Sequence, residues 1–400
     1  MRLLVVSNLY PPHYIGGYEL GCRDVVHALR QRGHDVRVLT STFRYPGIAD
    51  EEVGVDRLLQ YVRGNERHDK IRECRLLKDA VEDHRAEIVY FWNQAGLCYW
   101  LPTAARLLGR RLAFFLSDGD FVSWRIGAWL SGSAAKSAFV RALFGETFLV
   151  RGQPIVRHQT CHFASQFLSN CASRVGIAVN AETSLVAHWG IDPQLFVAVA
   201  RPARSPRRLL YVGQLIPQKG IHTAIAALGL LCAEPACESL TLTIVGGGQD
   251  PDYENRLREM LTPLGLSDRI HFLGKVPRTD LPGIYAQHDV LVFPSEWEEP
   301  FAITPLEAMA SGLVVVGTTT GGSGELFRNR ETALTFAAGD AGDCARAIRE
   351  LCDDPALAES IRHRAFVEVT TRYTLVAMVD AIETGLEKLR PSVSSRKLPL

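Results

Sequence analysis

"VLVFPSEWEEPFAITPLEAMASGLVVVG", residues 290–317, holds two short apolar runs with a polar, turn-rich stretch and a helix signature between them. Strand, helix and strand in that order form a parallel pair, because parallel strands need a long crossover rather than a tight turn. Three residues in the middle satisfy the rules for a helix start. Thr304 stands as the N-cap, Pro305 at the first helical position and Glu307 three residues after the cap. They predict a helix from residue 304. Glu299, separated from that helix-start glutamate by seven residues that include Phe, Thr and Pro, has no capping role to explain it.

The same alternation continues on both sides. Upstream in the C-terminal half come "RLLYVG", "LTLTIVG", a helix from 252, "IHFLG" and a helix from 281. The N-terminal half opens with "RLLVVSN", a continuous apolar run of the kind buried on both faces of a parallel sheet. Residues 19–32 read as a helix with Val25, Val26 and Leu29 inward, and Gly33 stands where a C-terminal cap belongs. "DVRVLTS", "EIVYFWN" and "RLAFFLSD" are further strands, while the aromatic-rich residues 121–165 read as helices with loops. "VARPARSPRRLLYVG" interrupts the pattern near residue 200, with Pro202 and Pro206 in a polar linker. The expected fold class is therefore α/β, with two Rossmann-like, doubly wound parallel-sheet domains facing each other across a cleft. The expected ranges are 1–200, 201–372, and a C-terminal helix and tail over 373–400 that is free to pack back on the first domain. Open α/β sheets take ligands beyond the C-terminal ends of their strands, so the motifs at those ends matter most.

Composition narrows the class. Four hundred residues exceed one ordinary core, the chain is 47% hydrophobic, and 44 Lys+Arg balance 44 Asp+Glu. That balance gives no electrostatic reason to expect nucleic acid as a partner. The nine cysteines are scattered, without the paired spacing of a zinc or redox motif, and the histidines show no ligand spacing either, so no metal site is expected. The first apolar run is too short for a signal-peptide core. No run approaches the roughly 18 apolar residues of a membrane span. A cytoplasmic enzyme is expected, with peripheral contact at the inner membrane face left open.

Four strand-end motifs carry the chemistry. "NLYPPHYIGGYE" places Gly16 and Gly17 before a helix, where backbone amides can approach a phosphate; a plain strand-to-helix turn reads equally well. "YVGQLIPQKG" brings Lys219 to the start of an apolar helix, either as a cation for a diphosphate or as a solvated lysine. "TIVGGGQD", with Gly246, Gly247 and Gly248, permits a tight turn and close backbone approach. The last is the opening stretch, where Glu296, Glu298 and Glu299 crowd one loop beside a helix N-terminus. A carboxylate beside such an anion site is suited to accept hydrogen bonds from sugar hydroxyls.

Together these motifs, with "GIDPQLF", "FLGKVPRTDLPGIYAQHDVLVFPSEWEEPFAITPLEAMASG" and "TTTGGSGELF", resemble the GT-B retaining glycosyltransferases of glycosyltransferase family four. The resemblance covers nearly the whole chain, and the two glutamates framed by "PS" and "LEAMASG" are its most specific part. It implies a GT-B fold and transfer of a sugar from a nucleotide diphosphate sugar to a glycan, a lipid-linked or a small-molecule acceptor. It also implies that no bound metal is required. Lys219 would contact the donor diphosphate, Glu307 the ribose hydroxyls and Glu299 the donor sugar. Phe301, Ala302 and Ile303 would present backbone amides to sugar and phosphate, and Gly16 and Gly17 would close over the donor from the N-terminal domain. Gly247 would lie by the donor, and the loop "GKVPR" at 274–278, with Val276, by the nucleobase.

Two positions depart from the family pattern. Gln214 stands where many members have Arg, so one cation is replaced by an amide. Ser117-Asp118 stands where many have His-Asp, leaving Asp118 as the remaining candidate catalytic side chain there. These departures keep a non-catalytic nucleotide-sugar binder in view, and a GT-B nucleotide-sugar epimerase is a second alternative, although the two-glutamate stretch favours transfer. Residues 134–159 interleave Lys136, Arg141, Arg151 and Arg157 with Phe139, Leu143, Phe144 and Phe148. That pattern suits either an anionic membrane surface or a helix with one buried apolar face.

Overall fold

Two sheets, each parallel throughout, organise the chain. The computed structural model describes residues 1–49, 52–62, 68–98, 100–117, 159–174, 179–196, 198, 206–232, 234, 237–248 and 250–390. The first sheet contains β1 (Arg2–Ser7), β2 (Asp35–Ser41), β3 (Val55–Leu59), β4 (Ile88–Phe91), β5 (Arg111–Leu116), β6 (Thr160–Phe163) and β7 (Leu185–Val186). Its order is β3-β2-β1-β4-β5-β6-β7. The second contains β8 (Arg208–Val212), β9 (Thr241–Val245), β10 (Ile270–Gly274), β11 (Val290–Phe293), β12 (Val314–Gly317) and β13 (Leu334–Thr335). Its order is β10-β9-β8-β11-β12-β13. The continuous apolar runs become the inner strands: β4, β11 and β12 are buried at every residue, as expected where helices cover both faces.

The two orders share one topology. In each sheet the first strand lies between the second and the fourth in order of pairing: β1 pairs β2 and β4, or β3's neighbour and the strand beyond the reversal, and β8 pairs β9 and β11. The direction of winding reverses at that strand, and the loops on either side part to leave a crevice at the C-terminal strand ends. In the second sheet the reversal sets the loop after β8 beside the loop after β11.

The chain divides into two compact units, Met1–His188 together with the chain from Leu375 onward, and Trp189–Thr374. The helix Leu375–Lys388 thus belongs to the first unit, where ion pairs tie it to the turn after the helix Gly17–Gln31. Arg32 meets Asp380 at 2.7 Å and Glu383 at 2.6 Å, and His34 Nε2 lies 2.6 Å from Glu383 Oε1. The Arg32 hydrogen bond, aided by His34, holds the Glu383 carboxyl below the usual carboxylate range.

One stretch differs from the sequence expectation. Thr160–Phe163, read as part of a helix-and-loop region, is a buried parallel strand between β5 and β7. Its polar residues disguised it, and two of them find partners inside the fold. Thr160 Oγ1 lies 2.5 Å from Thr183 Oγ1, and His162 Nδ1 lies 2.8 Å from the Tyr90 hydroxyl. Burial lowers the His162 pKa to about 3, so the ring is neutral near neutral pH. Residues 121–158 of the same expectation, and the basic and aromatic segment at 134–158, lie outside the described residues.

Candidate active site

The loop after β8 is shaped by a glycine. Pro217–Lys219 forms a single 3-10 turn, and Gly220 follows in the left-handed region at φ 65°. A Cβ on Gly220 would stand 1.9 Å from the Pro294 carbonyl oxygen, so only glycine allows this turn to lie against the loop after β11. The contact is reinforced by backbone bonds. The Glu296 and Trp297 N–H groups both donate to the Gln218 carbonyl, at 2.9 and 3.1 Å. Lys219 is thereby delivered to the start of the helix Ile221–Leu231, facing a segment 80 residues away in the chain.

What Lys219 meets there is Glu299. Its Nζ lies 2.5 Å from Glu299 Oε1, and the Ser295 hydroxyl donates to the same oxygen at 2.7 Å. Glu299 is 5% exposed, a degree of burial that a carboxylate tolerates only with partners. Its backbone is fixed as firmly. Gly322 N–H donates to the Glu299 carbonyl at 2.6 Å, and a Cβ on Gly321 (φ 61°) would fall 2.4 Å from that carbonyl oxygen. Glu296 and Glu298 of the same acidic loop are exposed. Glu296 Oε1 lies 3.1 Å from His222 Nε2 and accepts from Thr223 at 3.2 Å.

The helix after this loop starts two residues before the first helical position that its capping signature predicts, and with a different cap. It spans Ile303–Ala310 with Ala302 as the N-cap, and Ala302 makes no side-chain capping bond. Thr304 is therefore the second helical residue and Pro305 the third. Proline fits there because the first four N–H groups of a helix have no intrahelical acceptor in any case. Glu307 lies beyond capping reach, so the capping explanation for it fails. Instead, Glu307 Oε2 accepts from the Tyr285 hydroxyl at 3.0 Å, and Oε1 lies 3.7 Å from Arg278 Nη2. Burial holds the Tyr285 phenol far above its ordinary pKa, so it stays protonated and donates. Glu307 is itself 5% exposed.

The remaining candidates fall into three groups. Phe301 and Ala302 are buried and Ile303 is half-buried at the first turn of this helix, with the Phe301 ring 5.7 Å from that of Tyr373. Gln214 is exposed, and its carbonyl accepts from the Tyr211 hydroxyl at 2.7 Å. Gly247 follows β9, and a Cβ on it would lie 3.2 Å from Lys275 Cε, so the lysine stem of the 274–278 loop covers the glycine turn. Val276 is half-buried in that loop, whose last residue is the Arg278 that approaches Glu307. Gly16 and Gly17 belong to the other unit. Gly16 caps the helix Gly17–Gln31, but its N–H donates to Glu19 Oε2 at 3.0 Å, so the turn supplies its own carboxylate. Ser117 is buried at the end of β5, and Asp118 lies outside the described residues. Among the described residues no three His, Cys, Asp or Glu side chains are grouped to hold a metal ion, and no helix is long and apolar enough to cross a membrane.

Sequence reasoning missed Ser295, Tyr285 and the Lys219–Glu299 contact itself. Ser295 and Tyr285 both stand in the stretch that carried the resemblance, four residues before Glu299 and 22 before Glu307. The strand order that brings them together is written nowhere locally.

Comparison with known proteins bears on the same residues. The family profile described as glycosyl transferases group 1 matches residues 198–367. An uncharacterised glycosyltransferase of Methanocaldococcus jannaschii is 31% identical over 407 aligned positions, which cover 94% of this chain and 95% of that protein. The chain belongs to the glycosyl transferases group 1 family. A glycogen synthase of Mycobacterium tuberculosis is 29% identical across 93% of this chain and 91% of its own length. The fold matches the crystal structure of Anabaena HepE in complex with UDP, with a TM-score of 0.73 at 22% identity over 97% of this chain and all of that one. The two parallel sheets are those of a GT-B glycosyltransferase. As a group 1 glycosyltransferase, the enzyme transfers a sugar from a nucleotide-sugar donor.

Proposed function

We propose that Lys219 and Glu299 bind the two halves of the donor that the reaction separates, and that transfer proceeds with retained anomeric configuration. The observation that carries this reading is the 2.5 Å contact between Lys219 Nζ and Glu299 Oε1 at the strand-order reversal. A cation and a carboxylate held there answer the two chemistries of a sugar diphosphate. The ammonium attracts the diphosphate and stabilises the negative charge that develops on it as the sugar–oxygen bond breaks. The carboxylate accepts hydrogen bonds from sugar hydroxyls. With no donor bound the two side chains satisfy each other. With donor bound, each exchanges its partner for a substrate group.

Glu307 takes the ribose hydroxyls in this reading, held in place by Tyr285. The amides of Phe301, Ala302 and Ile303 face sugar and phosphate at the positive end of their helix. Gln214 and Gly247 lie along the diphosphate, and Val276 beside the base. Asp118 of the first unit remains the candidate for the acceptor side. The acceptor oxygen attacks on the face that the nucleotide diphosphate leaves, and the departing phosphate oxygen takes the acceptor's proton. Retention then needs no enzymic nucleophile. The acceptor is a glycan, a lipid-linked sugar or a small molecule.

The test begins with thermal shifts for UDP-, GDP- and ADP-sugars, since a ligand of the native state raises its melting temperature. UDP is the first nucleotide to try, being the one held by HepE. With the donor known, Lys219→Ala is expected to lower kcat/KM about 100-fold or more, and NMR of the product is expected to show the donor's anomeric configuration. Wild-type rates in Lys219→Ala would refute the site, and an inverted product would refute the stereochemistry.

A further inference from the structure

The first unit contains a cavity of about 360 Å³ lined by four cations, Arg106, Arg110, Arg111 and Lys388, with Glu182 as the one carboxylate. Thr160 and Thr183 lie among its polar neighbours. Arg111 is the first residue of β5 and Thr160 the first of β6. The cavity therefore opens at the N-terminal ends of these strands, whereas a doubly wound sheet takes its main ligand at the C-terminal ends. A six-residue strand such as β5 separates the two edges by roughly 20 Å.

Part of this charge has a structural role. Arg106 closes the last turn of the helix Leu101–Leu107 and Lys388 that of Leu375–Lys388, where cations offset the helix dipole. Two helix C-termini supply roughly half a negative charge each. After that and Glu182, the wall keeps a surplus of about two positive charges by the same estimate. Arg111 Nη1 donates to the Leu389 carbonyl, which fixes one wall. Arg110 is different. Its Nε is buried and has no hydrogen-bond acceptor among the described residues. That N–H is costly to leave unmet, and Arg110 itself lines the cavity, where a guanidinium's fork of donors is the arrangement that an oxyanion satisfies.

We propose that this cavity is a second ligand site, for a small phosphomonoester such as a sugar phosphate. Its phosphoryl oxygens accept from Arg110 and lie among Arg106, Arg111 and Lys388, while the hydroxyl-bearing body faces the threonine side. The volume lies at the low end of the range for small-molecule sites. It suits one phosphorylated sugar better than a nucleotide sugar.

The test is calorimetric titration of the full chain with inorganic phosphate, glucose 6-phosphate and vesicles containing anionic lipid. The wild type, Lys219→Ala, Arg110→Gln and the double variant Arg106→Ala/Lys388→Ala are compared. Binding of a soluble phosphate that persists in Lys219→Ala and weakens at least tenfold in Arg110→Gln supports the proposal. So does the same loss in the double variant, whose two side chains are exposed and can be removed without emptying a core. Because Lys219 is intact in both cavity variants, failure here and failure of the donor site are read separately. Absence of binding, or binding abolished by Lys219→Ala and untouched by the cavity variants, overturns it. Binding to vesicles with none to soluble phosphates overturns it in favour of a membrane surface.

Discussion

The two units build similar parallel sheets, yet they finish their strand ends in opposite ways. In Trp189–Thr374 the loops after β8 and β11 complete each other. Gly220 admits the Pro294 carbonyl, Gln218 accepts two amides of the acidic loop, and Lys219 meets a carboxylate from that loop. In the first unit the glycine turn after β1 is closed by a residue of its own helix, since Glu19 takes the Gly16 N–H. A glycine-rich turn at a strand end is thus an anion site only when its amides are left to a ligand. The same local sequence style gives a shared site in one unit and a self-capped helix in the other.

That contrast can be broken most sharply at Glu299. Glu299→Gln keeps the shape and removes the charge beside Lys219, and kcat/KM for transfer is expected to fall 100- to 1,000-fold. A loss under about tenfold would put the donor sugar elsewhere. Next comes Gly220→Ala, which must move the Pro294 carbonyl and strain a left-handed residue. Its expected cost is about 3 kcal/mol of stability, read from denaturant midpoints, and an unchanged midpoint would mean the two loops are not locked. The third test concerns the first unit. His162 has its pKa lowered by burial, so between the ordinary histidine value and about 3 the unfolded chain binds the proton and the folded one does not. Stability contributed by neutral His162 is fully present above pH ~6.5 and is lost as pH falls, by up to about 1.4 kcal/mol per pH unit. His162→Asn should flatten the acid limb of a stability-versus-pH curve, and an identical slope would refute the assignment. The smallest effect is expected at Glu19. Glu19→Gln should cost about 1 kcal/mol as a weakened cap and leave transfer within about threefold, a difference of less than 1 kcal/mol. A loss matching that of Glu299→Gln would show that the glycine turns of both units do the same job.

The sequence was most informative where burial is complete. "RLLVVSN", "VLVF" and "LVVVG" are apolar at every inner position, as strands covered on both faces require. It was misleading at Thr304-Pro305. The capping signature is sound local chemistry, but the loop fixed against Gly220 and Gly321 brings Ala302 to the helix entrance first, and tertiary context overrides the cap. β6 was missed for the reverse reason, since its Thr and His are polar in sequence and find partners only in Thr183, in the turn before β7, and Tyr90 of β4. Glu299 was legible as an anomaly, a glutamate without a capping role. Its partner was not, because strand order rather than spacing brings Lys219 to it.

The path of the chain through the two units also sets an order of assembly. The first unit is completed by the helix Leu375–Lys388, whose Gly385 lies so close to His162 that a Cβ there would stand 2.2 Å from Nε2. Residues 189–374 are translated before that helix exists. At the usual 5–20 residues per second, β6 and its buried histidine wait about 10 to 40 seconds on the ribosome for their cover. The unit encoded first is thus the one that closes last, and an interruption of synthesis after the second unit would leave that unit folded and the first sheet open.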